Sequence, residues 1–349
     1  MRRTLVAAVP PLRGGAAPFN AALAEALRAR GALELVSWRR LYPPLLYPGE
    51  DEPRGEGPEF LLDWANPLSW RRALRRVAGA LIVPWLHPVA APVYRYLLRR
   101  APAARIVICH NVLPHELVRG AARITRAVLR HADLLVTHGP QQREELRRLG
   151  LGAIPVLESF HPRFEVEPAP QRDGDGLELL TFGAVRPYKG VDLALEALAL
   201  VDPSLSVRLT VAGRFWDGGR ELRALAARLG LNGRLELRDG YVPDPAPLFA
   251  AADAALLPYR SASQSGVAQL AFAYGRPVIA TRVGGLPAAV ADGRDGILCE
   301  PEPRQLARAI ERMARERRQL AAGVRAQAPE RSFGRYAELL DEAIAETAR

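Results

Sequence analysis

The stretch Leu179-Leu180-Thr181-Phe182-Gly183-Ala184-Val185-Arg186-Pro187-Tyr188-Lys189-Gly190-Val191-Asp192 decides the fold. Residues 177–182 form a short apolar run with the length of a buried strand, Gly183 opens a turn, and a helical pattern starts near Asp192. Strand, glycine turn and helix make the first half of a βαβ unit. The turn presents Arg186 and Lys189, and two cations at the carboxyl end of a parallel strand suit a diphosphate. A surface turn with two solvated cations is the plainer alternative. The composition argues against it, because 47 of the 48 basic residues are arginine and Lys189 is the single lysine. A lysine offers a compact, rotatable point charge where arginine offers a planar fork.

The same alternation extends in both directions. Buried strands are expected at 4–9, 33–37, 80–83, 105–109 and 134–137, with helical patterns at 20–30 and 117–131 between them. Beyond 182, runs at 207–212, 235–239, 254–257, 278–281 and 296–299 repeat the theme. Near-continuous apolar strands alternating with helices indicate parallel sheets covered on both faces. Pro168, Pro170, Gly174 and Gly176 punctuate residues 164–176, which reads as a linker. The expected class is therefore α/β, with two Rossmann-like doubly wound domains, 1–165 and 166–331, facing a central cleft. Residues 332–349 have helical spacing, with Phe333, Tyr336, Leu339, Leu340 and Ile344 on one side. This last helix either caps its own domain or packs back on the first.

A second candidate feature is Ser265-Gly266, placed where a helix starts after the strand 254–257 and a small polar loop. Free backbone N–H groups and the helix dipole attract an anion there, although simple capping accounts for the same residues.

At 349 residues two domains are expected, and 49% hydrophobic content excludes a disordered chain. Cys109 and Cys299 are too few for a disulfide framework, which suits a reducing cytoplasm. The N-terminus lacks a plausible cleavage site and reads as a strand. The longest uncharged stretch, Val77 to Tyr94, contains Pro84, Pro88 and Pro92, so it is read as a strand and a loop and not as a membrane span. The net charge of +10 is uneven. Residues 1–165 hold 24 arginines and 14 acids, whereas residues 166–349 hold 24 basic and 24 acidic residues.

Taken together, Gly183-x-x-Arg186-x-x-Lys189-Gly190-x-Asp192, Ala212-Gly213, Ala252-Asp253, Gly275-x-Pro277-Val278 and Gly284-Gly285-Leu286-Pro287 resemble the family-4 glycosyltransferases. These are retaining, nucleotide-sugar-dependent enzymes of the GT-B architecture. Gly14-Gly15, residues 110–116 (His-Asn-Val-Leu-Pro-His-Glu) and His161-Pro162 extend the resemblance into the first half. It implies that Arg186 and Lys189 grip the donor diphosphate and stabilise the leaving group as its negative charge grows. It also implies that Gly14 and Gly15 let the backbone approach donor and acceptor, although an ordinary turn explains them equally. His110 matches a histidine beside the donor sugar, where a plain structural histidine is the alternative. Gly213, Val242 (beside Tyr241), Ser263, Gln264, Ser265 and Gly266 complete the expected substrate-binding set. His87 is a weaker acceptor-side candidate.

The family usually carries two glutamates eight positions apart before Gly-x-Pro-Val. Here those positions are Ala262 and Leu270. Either Ser263, Gln264, Ser265 or Gln269 supplies the missing hydrogen bonds, or the domain binds without turnover. The resemblance implies no metal and no cofactor, a nucleoside-diphosphate sugar being the donor substrate, and no cluster with metal-ligand spacing is found.

The charge excess suggests an anionic partner. Arg71, Arg72, Arg75 and Arg76 fall opposite Trp70, Ala73, Leu74 and Val77, and Arg119, Arg123, Arg126 and Arg130 form a second stripe. A solvated face explains either stripe alone. An anionic membrane surface, with Trp70 at the interface, suits an enzyme acting on a lipid-linked acceptor. No nucleic-acid reading module is present, and nucleic acid is not the expected partner. The expectation is a cytoplasmic, peripherally membrane-bound retaining glycosyltransferase with a lipid-linked or saccharide acceptor, of the kind that builds envelope polysaccharide or glycolipid. The alternative is a non-catalytic nucleotide-sugar-binding or partner-binding relative.

Overall fold

The computed structural model describes residues 2–9, 17–41, 55–114, 119–215, 218–262, 265–327 and 329–347. The elements run β1 (Arg3–Ala7), α1 (Ala17–Ala29), β2 (Leu33–Arg40), β3 (Phe60–Asp63), α2 (Pro67–Leu74), β4 (Ala80–Trp85), α3 (Ala91–Arg100), β5 (Ala104–Cys109), α4 (Ala121–Leu129), β6 (Leu134–Thr137), α5 (Pro140–Arg148) and β7 (Val156–Glu158). They continue with β8 (Leu177–Phe182), α6 (Val191–Leu200), β9 (Val207–Gly213), α7 (Arg220–Arg228), β10 (Leu235–Asp239), α8 (Ala246–Ala251), β11 (Ala254–Leu257), α9 (Gly266–Ala273), β12 (Val278–Thr281), α10 (Leu286–Ala289), β13 (Gly296–Cys299), α11 (Pro303–Ala326) and α12 (Phe333–Thr347). The chain divides into two compact units, one of Met1–Phe160 with Phe333–Arg349, the other His161–Ser332.

The first unit is built on a seven-stranded parallel sheet in the order β3-β2-β1-β4-β5-β6-β7. Val6, Val36, Leu81, Val83, Val107 and Leu135 pack on one face with Tyr94, Leu97 and Val128 from α3 and α4. On the other side α12 packs against α1, β5 and β6. Buried Arg3 in β1 pairs with Asp341 of α12 at 2.6 Å and donates to the Leu27 carbonyl of α1 at 3.1 Å. The last helix thus belongs to the unit in which the chain begins.

Strand β4 runs two residues beyond the expected Ala80–Val83, through Pro84 to buried Trp85. Its ladder with β1 ends at Leu5–Ile82, while that with β5 continues to Trp85–Cys109. Pro84 therefore lies where only one neighbour remains, and a proline is tolerated at such an edge-like position. Strands β3 and β7, of four and three residues, are too short to show a period of two in the sequence.

The second unit holds a six-stranded parallel sheet, β10-β9-β8-β11-β12-β13. Leu179, Leu209 and Val211 pack under Leu195 of α6 and Ile310 of α11, and Leu180 and Ala212 under Phe249 and Phe272 on the opposite face. Strand order reverses between β8 and β11, and the carboxyl ends of these two strands mark the switch point at which open α/β sheets take ligands.

Candidate functional site

The sequence 183–190 folds as a tight turn off the end of β8. Pro187–Lys189 form one 3-10 turn, and Gly190 then adopts φ +61° before α6. A Cβ at Gly190 would lie 2.0 Å from the Pro258 carbonyl oxygen at the end of β11, so only glycine fits this close approach. The turn places Lys189 inward and 7% exposed, with Nζ 3.3 Å from the Phe182 carbonyl oxygen and 5.5 Å from the Tyr259 ring centroid. Among the described residues no carboxylate pairs with this ammonium. Burial holds it below the ordinary lysine range; Tyr188 counters that shift and the Arg186 guanidinium adds to it. A buried cation without a counter-charge is costly, and an anion at this place would relieve the cost.

Residues of the β11 loop secure the turn. Arg260 makes a two-pronged ion pair with Asp192, both contacts 2.7 Å, and its backbone N–H donates to the Tyr188 carbonyl at 2.7 Å. Burial opposes ionisation of Asp192, but the hydrogen bonds and charge of Arg260 hold its carboxyl below the usual range. Tyr259 is buried beneath Lys189, and burial raises its phenol to about 12 despite a hydrogen bond with Ser265. Tyr259 and Arg260 carry no motif of their own, and their roles become visible only when β11 is laid beside β8.

Ser265 caps α9, its hydroxyl accepting from the Ala268 N–H at 3.2 Å. Gly266 is exposed, a Cβ there would meet nothing within 4 Å, and Val267 lies 3.8 Å from the Cβ position of Gly183. The start of α9 therefore opens beside the lysine turn, with N–H groups that no helical carbonyl satisfies. Gly213, at φ +145° and the end of β9, approaches so closely that a Cβ would lie 2.1 Å from the Gly183 carbonyl oxygen. Its own carbonyl accepts from the Gly240 N–H, which leads to exposed Tyr241 and half-buried Val242. Lys189, Gly213, Ser265 and Gly266 are thus gathered around the β8–β11 switch point, and Arg186, half-buried, is on the same turn. Ser263 and Gln264 lie outside the described residues. Ala262 is buried, with its carbonyl accepting from the Gly285 N–H, and Leu270 packs against the core.

In the first unit His110 directly follows β5, half-buried, its ring edge-on to Phe19 at 4.4 Å. Gly14, Gly15, His115 and Glu116 lie outside the described residues. His87 caps the short turn at Pro88, with Nδ1 accepting from the Val89 N–H at 3.2 Å. Trp70 is half-buried: its indole N–H donates to the Asp63 carbonyl at 2.7 Å and its ring packs on Tyr96. The exposed apolar residue of α2 is Leu68, at 64%. The helices α2, α3 and α4 pack side by side and contain no acidic residue. Beside them, burial and then the charges of Arg130, Arg99, Arg95 and Arg105 lower the His131 pKa.

Comparison with known proteins bears on the fold and on the second unit's family likeness. Residues 176–316 match the family model described as glycosyl transferases group 1. The chain is 38% identical to a D-inositol 3-phosphate glycosyltransferase of Geodermatophilus obscurus over 177 residues, 48% of this chain and 39% of the relative. It spans between 39% and 48% of the length of three such curated relatives. Among solved structures, it matches sucrose-phosphate synthase from Thermosynechococcus elongatus with a TM-score of 0.76 at 19% identity, covering 99% of this chain and 98% of the other. HepE from Anabaena in complex with UDP matches with a TM-score of 0.72 at 17% identity, covering 99% of each chain. These likenesses show the fold to be GT-B.

Proposed function

We propose that this chain, which carries a glycosyl transferases group 1 domain over residues 176–316, transfers a sugar from a nucleoside-diphosphate donor to a hydroxyl acceptor with retention of anomeric configuration. One observation carries the reading: the buried Lys189 ammonium pairs with no carboxylate among the described residues and stands beside the open start of α9. A diphosphate placed there meets a point charge from Lys189, a guanidinium from Arg186 and the first-turn N–H groups of α9. As the glycosidic bond breaks, negative charge grows on the leaving phosphate oxygen, and fixed cations lower the barrier by binding that charge more tightly than the ground state. Retention requires no protein base if the leaving phosphate takes the acceptor proton, so Ala262 and Leu270 do not forbid turnover. They bear on affinity and sugar choice, through hydrogen bonds that are missing there.

For the acceptor, the reading is a lipid-linked or saccharide hydroxyl, with the first unit resting on an anionic membrane surface. Acid-free α2, α3 and α4 carry exposed arginines such as Arg72, Arg99 and Arg123, and exposed Leu68 offers an apolar side chain to the interface. Each such arginine is worth about 1 kcal/mol near an anionic leaflet. Vesicles rich in phosphatidylglycerol should sediment with the protein, and release it with salt, whereas phosphatidylcholine vesicles should not. Equal sedimentation with both would remove the membrane from the account.

The transfer itself is tested by offering purified protein a panel of UDP, GDP and ADP sugars with lipid-linked and saccharide acceptors, and measuring nucleoside diphosphate release. Release that disappears in Lys189→Met supports the assignment. Absence of release from every donor, with retained nucleotide binding, favours the non-catalytic alternative that Ala262 and Leu270 raise.

A further inference from the structure

The strands β5 and β6 are adjacent and in register, with Ile108 opposite Val136, and each is followed one residue past its end by a histidine, His110 and His138. Their rings stand 5.5 Å apart. Buried Gln142 of α5 ties the two backbones together, its Oε1 accepting from the His138 backbone N–H at 2.7 Å and its Nε2 donating to the His110 backbone carbonyl at 2.9 Å. His138, 3% exposed, holds its Nε2 3.0 Å from the hydroxyl of Tyr336, which is 1% exposed on α12. The Phe19 ring packs edge-on against His110, His138, Phe333 and Tyr336. A helix almost two hundred residues downstream of β6 thus reaches, by one hydroxyl, the histidine pair at the carboxyl edge of the first sheet.

We propose that Tyr336 is a positioning residue for His110, acting through His138. The proposal rests on the reading of His110 as a residue of the transfer site. A hydrogen bond to one ring nitrogen constrains how a histidine ring is turned and weights its tautomers. The Tyr336 hydroxyl holds the His138 ring by one hydrogen bond, and the His138 and Phe19 rings flank that of His110. Phe333 and Tyr336 also fill the space beneath the pair, so α12 is part of the machinery of the first unit as well as of its core. A displacement of the His110 ring matters, because misplacement of about 1 Å costs roughly a hundredfold in rate.

The test uses the full chain with histidine ring nitrogens labelled with nitrogen-15, in the wild type and in Tyr336→Phe, which keeps the ring contacts and removes the hydroxyl. Ring-nitrogen NMR should show the His138 signals moving to a different tautomer balance and the His110 signals moving with them. With a donor that the wild type turns over, kcat should fall about tenfold or more while the donor KM stays within about twofold. Unchanged His110 signals, or movement of His110 signals with an unchanged kcat, would overturn the proposal. Should Tyr336→Phe fail to fold, His138→Phe is read in the same way at His110. If the wild type turns over no donor, the transfer reading fails, and the NMR arm alone still decides whether Tyr336 governs His110.

Discussion

The Lys189 ammonium lies over the Tyr259 ring, 5.5 Å from its centroid, and the two side chains come from the loops that follow β8 and β11, the strands at which the second sheet reverses its order. An aromatic face attracts a cation and is far less hydrated than water, so Lys189 is held without being neutralised. Gly183 leaves room beside the ammonium, since a Cβ there would lie 3.1 Å from Nζ. A planar guanidinium presents a different shape and donor geometry from a compact ammonium. Lys189→Arg should therefore weaken nucleoside diphosphate binding about tenfold, roughly 1.4 kcal/mol, although charge is conserved. Calorimetric titration measures it, and an affinity equal to wild type would show that charge alone suffices.

Gly190→Ala places a methyl group 2.0 Å from the Pro258 oxygen at φ +61°. The turn has to move, and the variant should lose about 2–4 kcal/mol of stability in urea unfolding together with nucleotide affinity. Wild-type stability would mean that the β8 and β11 loops do not pack as described.

Arg260 touches Asp192 and the Tyr188 carbonyl, not the space beside Lys189. Arg260→Ala should loosen the turn and weaken nucleotide binding by about tenfold or less, with stability changed by about 1 kcal/mol or less because the pair is exposed. Loss of binding as severe as in Lys189→Met would instead place Arg260 on the ligand.

His161 is buried, and burial depresses its pKa from 6.5 to about 4, partly offset by the Pro162 carbonyl. The unfolded chain therefore binds more protons than the folded one in that window. Stability is fully present above pH 6.5 and falls by about 3 kcal/mol as pH drops toward about 4. Urea unfolding across this range should show the loss, and His161→Gln should remove most of it.

Much of this was legible before any coordinates. Apolar runs such as Leu177–Phe182 and Val278–Thr281 announce buried parallel strands, because no polar alternation interrupts them. Lys189 announced itself by residue type. The unread parts share a physical cause, which is that they are contacts between segments distant in sequence. Nothing in Tyr259-Arg260 reveals that it braces a turn about seventy residues upstream, and nothing in Tyr336 reveals His138. At Trp70 the amphipathic placement is legible in the sequence, whereas the bond from its N–H to the Asp63 carbonyl is not.

The central claim is that Lys189 is the seat of a nucleoside diphosphate. Isothermal titration of the wild type and Lys189→Met with UDP, GDP and ADP tests it most directly. The account predicts that at least one of the three binds the wild type and binds Lys189→Met about a hundredfold more weakly, roughly 2.7 kcal/mol, the size of a charge-assisted contact. Equal affinity in both proteins, or no binding of any of the three to the wild type, would contradict it.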